Sequence, residues 1–303
     1  MENNSNKQTN NKMETMSNNQ TINNMETRKN NKQQFSSAHP GLIAYVIDQS
    51  GSMSESYPEG GTKAKFTQLA VSSAINETIN ANFDGETPKD RANISLIGFG
   101  KSVQEIRTDK LSEFANNPYR IESGTKKVSD GNGGLVEVAV QNPVYFEPVA
   151  DGLTPLAEAL GVVKQVFIRI KEKYPESPDS VAILVTDGMP RSEGVDDAVE
   201  EANAIALAEE IKAMGGLIFG CHIGNGRNKC EFPVTEDELP DDQAKFIYKV
   251  CSIVPESYKE AARKLELNVS ENSRAMVTNA DPTTFVKFIN FGSSGTNQDR
   301  LSN

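Results

Sequence analysis

The sequence predicts an α/β fold: a doubly wound, mainly parallel sheet with helices on both faces and one antiparallel edge hairpin. Three observations predict it. Four continuous apolar runs have strand length, helical patterns lie between them, and 303 residues at 37% hydrophobic content can bury a large core. The runs are Leu42 to Ile47, Ile94 to Phe99, Val181 to Val185 and Leu217 to Cys221. Unbroken apolar runs of this length mark strands covered on both faces, the usual state of parallel strands. Buried strands alternating with helices then give a parallel sheet flanked on both sides.

The elements follow in order. Residues 1–37 are an Asn-, Gln-, Lys- and Thr-rich tract that cannot bury enough apolar surface to offset chain entropy, so it is expected to be disordered. Lys63 to Phe83 reads as a helix. Thr125 to Pro148 reads as paired strands around the turn Asp130-Gly131-Asn132-Gly133-Gly134. Leu156, Leu160, Val163, Phe167 and Ile170 step by three and four, which puts them on one helix face. Asp196 to Met214 is a second helix ending at Gly215-Gly216, a natural C-cap. Asn225 to Pro255 is acidic and irregular and reads as an insertion with a short helix. A last helix runs from Asp281 to Asn290, and the Gly/Ser-rich residues 292–303 form a flexible tail. No linker divides the chain, so residues 38–291 are expected to be one domain with insertions near 101–150 and 225–255.

Composition excludes several function classes. Lys and Arg number 31 against 42 Asp and Glu, a net charge of −11. Binding to nucleic acid or an anionic membrane rests on basic patches, so neither is expected. With 7% aromatics and no Trp, stacking platforms for single strands are not expected either. The three Cys form no C-x-x-C pair, which argues against a disulfide framework and a zinc ribbon. No apolar run nears the ~18 residues of a membrane span, and the N-terminal tract lacks a signal peptide's apolar stretch. A cytoplasmic location is the resulting expectation.

Chemistry is expected where the strands end, because open α/β sheets bind ligands beyond the carboxyl ends of their strands. The first strand leads into Asp48-Gln49-Ser50-Gly51-Ser52-Met53 and the third into Thr186-Asp187-Gly188. The Leu156 helix begins after Gly152-Leu153-Thr154-Pro155. These places supply carboxylates and hydroxyls with no His or Cys among them, and hard oxygen donors suit Mg²⁺ or Mn²⁺ rather than Zn²⁺. Alternate residues of a turn can point the same way, so Asp48, Ser50 and Ser52 can converge.

Asp-x-Ser-x-Ser, a distant Thr and a strand-terminal Thr-Asp-Gly together resemble the metal-ion-dependent adhesion site of von Willebrand factor A (vWA) domains. The resemblance covers roughly Pro40 to Phe291. Ser50-Gly51-Ser52-Met53, Leu153-Thr154-Pro155-Leu156, Asp187-Gly188-Met189-Pro190 and Phe285-Val286-Lys287-Phe288-Ile289 look like the intracellular bacterial branch typified by tellurium-resistance proteins. The resemblance implies that Ser50, Ser52 and Thr154 ligate the metal directly, with Asp48 and Asp187 acting mostly through water. Gln49 sits where the family varies, whereas the 225–255 insertion departs from its pattern. It further implies a non-catalytic module that binds a Glu or Asp of a partner protein through Mg²⁺, with Mn²⁺ as a substitute. The setting implied is a bacterial stress-response or defence system, with a PP2C-like phosphatase or a protein kinase as partner. The alternative is a regulatory, substrate-handing subunit of a chelatase-like AAA+ ATPase complex.

Each element also has an ordinary reading. Thr154 before Pro155 can be a simple helix cap, and the two Asp-bearing segments can be polar turns. Gly100-Lys101-Ser102 resembles part of a phosphate loop, but the first glycine would fall on Ser95 and no helix is expected after Ser102. Asp130 to Gly134 lacks the spacing and terminal Glu of a calcium loop. Cys221, His222, Cys230 and Cys251 match no zinc spacing, and Cys221 reads as a core residue. Glu236 to Glu238 with Asp241 and Asp242 reads as a solvated face. No G-x-S-x-G elbow exists, and no general base or activated nucleophile accompanies the oxygen cluster, so an enzyme is not expected.

Overall fold

The computed structural model describes residues 35–58, 60–129, 134–224 and 227–294, with the side chains of 126–128 and 135 excepted. The expected disorder of 1–34, most of the Asp130 to Gly134 turn and the tail from 295 onward lie outside the described residues. In chain order the elements are β1 (Gly41–Asp48), α1 (Lys63–Ala81), β2 (Phe83–Asp84), β3 (Thr87–Pro88), β4 (Ala92–Phe99) and β5 (Val103–Lys110). Then come α2 (Leu111–Asn116), β6 (Arg120–Ser129), β7 (Leu135–Val144), α3 (Leu156–Lys173), β8 (Val181–Thr186) and α4 (Asp197–Ala213). The last are β9 (Leu217–Ile223), β10 (Cys230–Glu231), α5 (Asp242–Val250), α6 (Lys259–Lys264), β11 (Met276–Ala280) and α7 (Pro282–Ser293).

The main sheet has seven strands in the order β10-β11-β9-β8-β1-β4-β5. The inner five are parallel, and an antiparallel strand closes each edge. Side chains of a strand alternate between faces, and here they divide the core in two. Ile43, Tyr45 and Ile47 of β1 join Val181, Ile183 and Val185 of β8 and the Phe-rich α7 in one core. Leu42, Ala44 and Val46 join Ala182 and Leu184 and the buried stripe of α3 in the other. All five residues of the expected stripe, Leu156 to Ile170, are buried. The chain leaves β1 for β4 on one side and returns to β8 on the other, so a topological switch point lies at the carboxyl end of β1.

Helix ends follow local chemistry. The Asp196 side chain accepts from Ala198 N to open α4. Its C-terminus closes with Gly215 N donating to Lys212 O and Gly216 N to Ile211 O, Gly215 having φ +91°. That pairing is a Schellman motif, which needs a left-handed residue at this position. Asp281 caps α7 by accepting from Thr284 N, with Pro282 in its first turn.

The expected antiparallel hairpin is present, pairing Arg120–Ser129 with Leu135–Val144, and it forms a two-stranded sheet of its own rather than an edge of the main sheet. Its described side chains are largely exposed, Ile121, Val136 and Val138 among them, so the hairpin stands apart from the main core. One antiparallel edge is β5, whose mixed run Val-Gln-Glu-Ile-Arg-Thr-Asp-Lys suits a half-exposed edge strand, and the other is the short β10. Other expectations are corrected. The 225–255 insertion carries β10 and α5, and beyond it lie α6 and β11, neither of which periodicity suggested. The tail boundary at Gly292 falls short, because α7 runs on to Ser293. Gly292 is there for close approach: a Cβ would lie 2.8 Å from Ile183 Cδ1. The Ser293 hydroxyl sits 2.8 Å from that of buried Tyr45 and donates to Ile289 O. At the other end Phe35, placed by sequence in the disordered tract, is 7% exposed and packs over Gly41.

Leu160 is fully buried in the α3 core. Leu160→Ala is expected to destabilise the protein by about 2–5 kcal/mol, the range for a buried Leu truncation. Urea unfolding with an unchanged m-value checks this.

Candidate metal centre

Strand register builds the centre. Ile47 of β1 pairs with Val185 of β8, which sets Asp48 beside Thr186, and Thr186 pairs with His222 of β9. The Thr186 hydroxyl donates to Asp48 Oδ2 at 2.6 Å, and Ser50 N donates to Oδ1 at 2.8 Å. Both Asp48 oxygens are therefore held. Ser50 Oγ lies 3.1 Å from Ser52 Oγ, and the Ser52 hydroxyl donates to Asp187 Oδ1 at 2.7 Å. Four of the five sequence-predicted residues thus form one hydrogen-bonded chain.

Thr154 reaches the same sheet edge through its backbone. Its N–H donates to Arg191 O and its C=O accepts from Arg191 N, both at 2.9 Å, tying its loop to the one after β8. Gly51 N donates to Gly152 O and Asp151 N to Gln49 O, tying it also to the loop after β1. Gly152 has φ +89°, and a Cβ there would lie 2.4 Å from the Lys101 backbone, so only glycine fits. The capping reading of Thr154 is corrected: Pro155 is the N-cap of α3 and no side chain of that position caps the helix. Instead the buried Glu200 of α4 accepts from Ala157 N at 3.0 Å, a carboxylate where the helix dipole favours one. Among the described residues the Thr154 hydroxyl has no hydrogen-bond partner, and Thr154 is 7% exposed.

These donors fit a small hard cation. With Mg–O bonds of about 2.0–2.1 Å, neighbouring oxygens of an octahedral shell lie about 2.9 Å apart. The Ser50–Ser52 separation of 3.1 Å is close to that spacing, and Asp187 holds Ser52 by a hydrogen bond of 2.7 Å. Among the described residues no group of three or more His, Cys, Asp or Glu gathers to hold a metal, so the set depends on its hydroxyls. The cysteines behave as core, with Cys221 and Cys251 fully buried. The strand β5 begins directly after Gly100-Lys101-Ser102, so no phosphate-loop helix follows.

Sequence reasoning missed four residues. Thr186 was read only as a neighbour of Asp187. Lys63 Nζ donates to Asp187 Oδ2 at 2.8 Å and to Glu55 Oε2 at 2.7 Å. Burial alone would pull the Lys63 pKa down, but its hydrogen bonds to Asp187 and Glu55 and their charges hold it above the ordinary value. A signal for Lys63 existed, because a lysine opening a helix opposes the dipole and wants a tertiary partner. His222 is buried beside Asp187, and burial pulls its pKa down despite the nearby carboxylates of Asp241 and Asp187. Asn279 N donates to His222 Nδ1 at 3.2 Å, which leaves the ring proton on Nε2, beside the Asp187 backbone.

Burial pushes the Asp48 carboxyl up to about 6, against the pull of its hydrogen bonds from Ser50 and Thr186 and with a push from the Asp187 charge. The unfolded chain releases that proton near pH 4. Between roughly pH 4 and 6 the folded state therefore binds more protons, and stability falls as pH rises through that window. In chelator, Asp48→Asn removes the titrating group and is expected to flatten this fall. Urea unfolding at pH 4, 5, 6 and 7 checks it.

No family model matches the chain, and no curated protein matches it. Solved structures do. The chain is similar to the pilus adhesin SpaC from Lactobacillus rhamnosus GG in its open conformation, at 13% identity and TM-score 0.52, over 88% of this chain and 31% of that one. It thus spans about a third of SpaC. It is also similar to the vWF domain of the type V pili tip protein Mfa5 from Porphyromonas gingivalis, at 11% identity and TM-score 0.45, over 88% of this chain and 97% of that one. A third likeness is to the manganese-loaded TRAP protein of Plasmodium vivax, at 16% identity and TM-score 0.40, over 83% and 72% of the two chains. At such identities likeness speaks to fold alone, and together with the sheet order it gives a doubly wound α/β fold.

Proposed function

We propose that this chain is a non-catalytic protein-interaction module that docks an acidic side chain of a partner protein through a divalent metal. The observation that carries the reading is the hydrogen-bonded run Ser50–Ser52–Asp187, which gathers hydroxyls and a carboxylate on the edge where such sheets bind ligands. Ser50, Ser52 and Thr154 offer neutral hydroxyl oxygens to the ion. Asp48, with both oxygens already held, orients Ser50 and the β8 end from behind. Asp187 orients Ser52. Bound Mg²⁺ or Mn²⁺ supplies positive charge with a position open to a guest carboxylate oxygen. Neutral ligands leave that charge largely unspent, which lets an acidic protein attract an acidic side chain.

Nothing in the cluster is arranged for proton transfer. The nearest imidazole, His222, has its Nδ1 occupied by Asn279 N and its Nε2 turned to the protein backbone. We further propose a cytoplasmic setting in a bacterial stress-response or defence system. The three free cysteines and the motif resemblance to tellurium-resistance proteins support it. A PP2C-like phosphatase or a protein kinase would then be the partner, and an AAA+ ATPase is the alternative.

Ser52→Ala and Thr154→Ala are each expected to weaken Mn²⁺ binding by about tenfold or more, since each removes one of few ligands. Both are expected to abolish partner capture with the far-UV spectrum unchanged. Affinity capture from lysate in Mg²⁺, eluted with chelator, checks the reading and identifies the partner class. Equal capture in Mg²⁺ and in chelator would overturn it.

A further inference from the structure

The oxygen cluster alone does not account for Lys63. It is the first residue of α1, a helix with no acidic residue in its first turn. A cation there is disfavoured by the helix dipole. Its side chain is 14% exposed and that of Asp187 is fully buried, while Glu55 is 64% exposed. The desolvated contact is therefore the one to Asp187, and Glu55 is a solvent-screened tether. Asp187 thus divides its two oxygens, Oδ1 accepting from Ser52 and Oδ2 from the ammonium. A polar cleft of about 300 Å³ lies alongside, lined in part by Tyr57, His222, Gln243 and Asn279.

A buried carboxylate with no counter-charge is costly, and removing one partner of such a pair leaves the other uncompensated. Lys63 meets that need when no other cation is present. It also changes the charge of the assembled site. The two carboxylates alone would neutralise a divalent ion; with the lysine included, the centre carries a formal +1. An ammonium in hydrogen-bond contact with Asp187 draws negative charge away from the ligand set, which lowers affinity for the ion. The same excess positive charge raises attraction for an anionic guest.

We propose that Lys63 is a resident counter-cation of this centre, which weakens its hold on divalent metal and biases the metal-bound site toward a carboxylate guest. The inference rests on the reading of the site given above. It makes Lys63 a specificity-determining residue rather than a ligand.

Mn²⁺ alone tests it, titrated into the full chain at pH 7.5 and followed by the electron paramagnetic resonance signal of the free ion. Lys63→Met and Lys63→Gln are expected to bind Mn²⁺ about tenfold or more tighter than the parent, the effect of removing one unit charge at short range in a partly buried site. Lys63→Arg keeps the charge and is expected to retain the parent affinity. The two neutral variants should also melt lower in chelator and recover on adding Mn²⁺. Equal or weaker Mn²⁺ binding by both neutral variants overturns the inference and leaves the proposed function standing. Tightening by Lys63→Arg as large as that by Lys63→Met overturns the charge argument. If neither parent nor neutral variants bind Mn²⁺, the proposed function falls and the inference with it. Binding by the neutral variants alone is the strongest support, since it makes the lysine the obstacle.

Discussion

The buried carboxylate of Asp48 is the interaction on which the rest of the centre depends. It is 1% exposed at the end of a strand that is apolar throughout, and a carboxyl in that position must be satisfied or protonated. Its two oxygens take the Thr186 hydroxyl and the Ser50 backbone N–H. The first bond joins β1 to β8 across the sheet. The second fixes the turn that carries Ser50 and Ser52. One side chain therefore ties the ends of two registered strands together and fixes the direction of the loop leaving the first. The competition between burial and these hydrogen bonds leaves Asp48 with a pKa of about 6. A hard cation nearby would favour its ionised form, so the same residue couples the site to the fold.

The sequence made the inner sheet legible because a strand covered on both faces has only one solution, a continuous apolar run. β1, β4, β8 and β9 all announce themselves in this way. The site was legible for the complementary reason: a run of Asp, Ser and Thr directly after such strands has no core role. What stayed hidden is what depends on partners distant in sequence. β11 is five residues, Met-Val-Thr-Asn-Ala, and becomes a strand because β9 offers it a free edge. β5 is polar enough to pass for a loop until β4 pairs with it. Gly292 opens a Gly/Ser-rich run, yet it lies within α7 at a point where a Cβ would come 2.8 Å from Ile183 Cδ1. Lys63 is locally unfavourable at a helix start and makes sense only beside Asp187, which is 124 residues away.

That lysine also changes how the acidity of the chain is to be read. A net charge of −11 repels an acidic guest at long range, although screening limits this beyond a Debye length of about 8 Å. Recognition of a carboxylate must then come from a local positive field. Lys63 and a bound divalent cation would act in the same direction, and they compete for the same carboxylate, Asp187. An affinity for metal that is too high would require more negative ligands, which would cancel the field the guest needs. On the proposed reading the ammonium would resolve this by adding positive charge without adding a ligand.

The loops that carry the donors are held to one another by main chain rather than by the donors themselves. Gly51 to Gly152, Asp151 to Gln49 and Thr154 to Arg191 are all backbone hydrogen bonds. They hold the loops after β1 and β8 and before α3 in contact whatever hydroxyls those loops bear. Glycine at 152 lets the same loop also pass directly against the Lys101 backbone. Even the start of α3 is capped from outside, by Glu200, so Thr154 is released from the task its position before Pro155 would ordinarily assign it. A threonine hydroxyl freed from capping, on a loop clamped by its own backbone, is an arrangement that helix stability does not need. It separates the chemistry of the centre from the stability of the fold, and it leaves the hydroxyl available to a ligand.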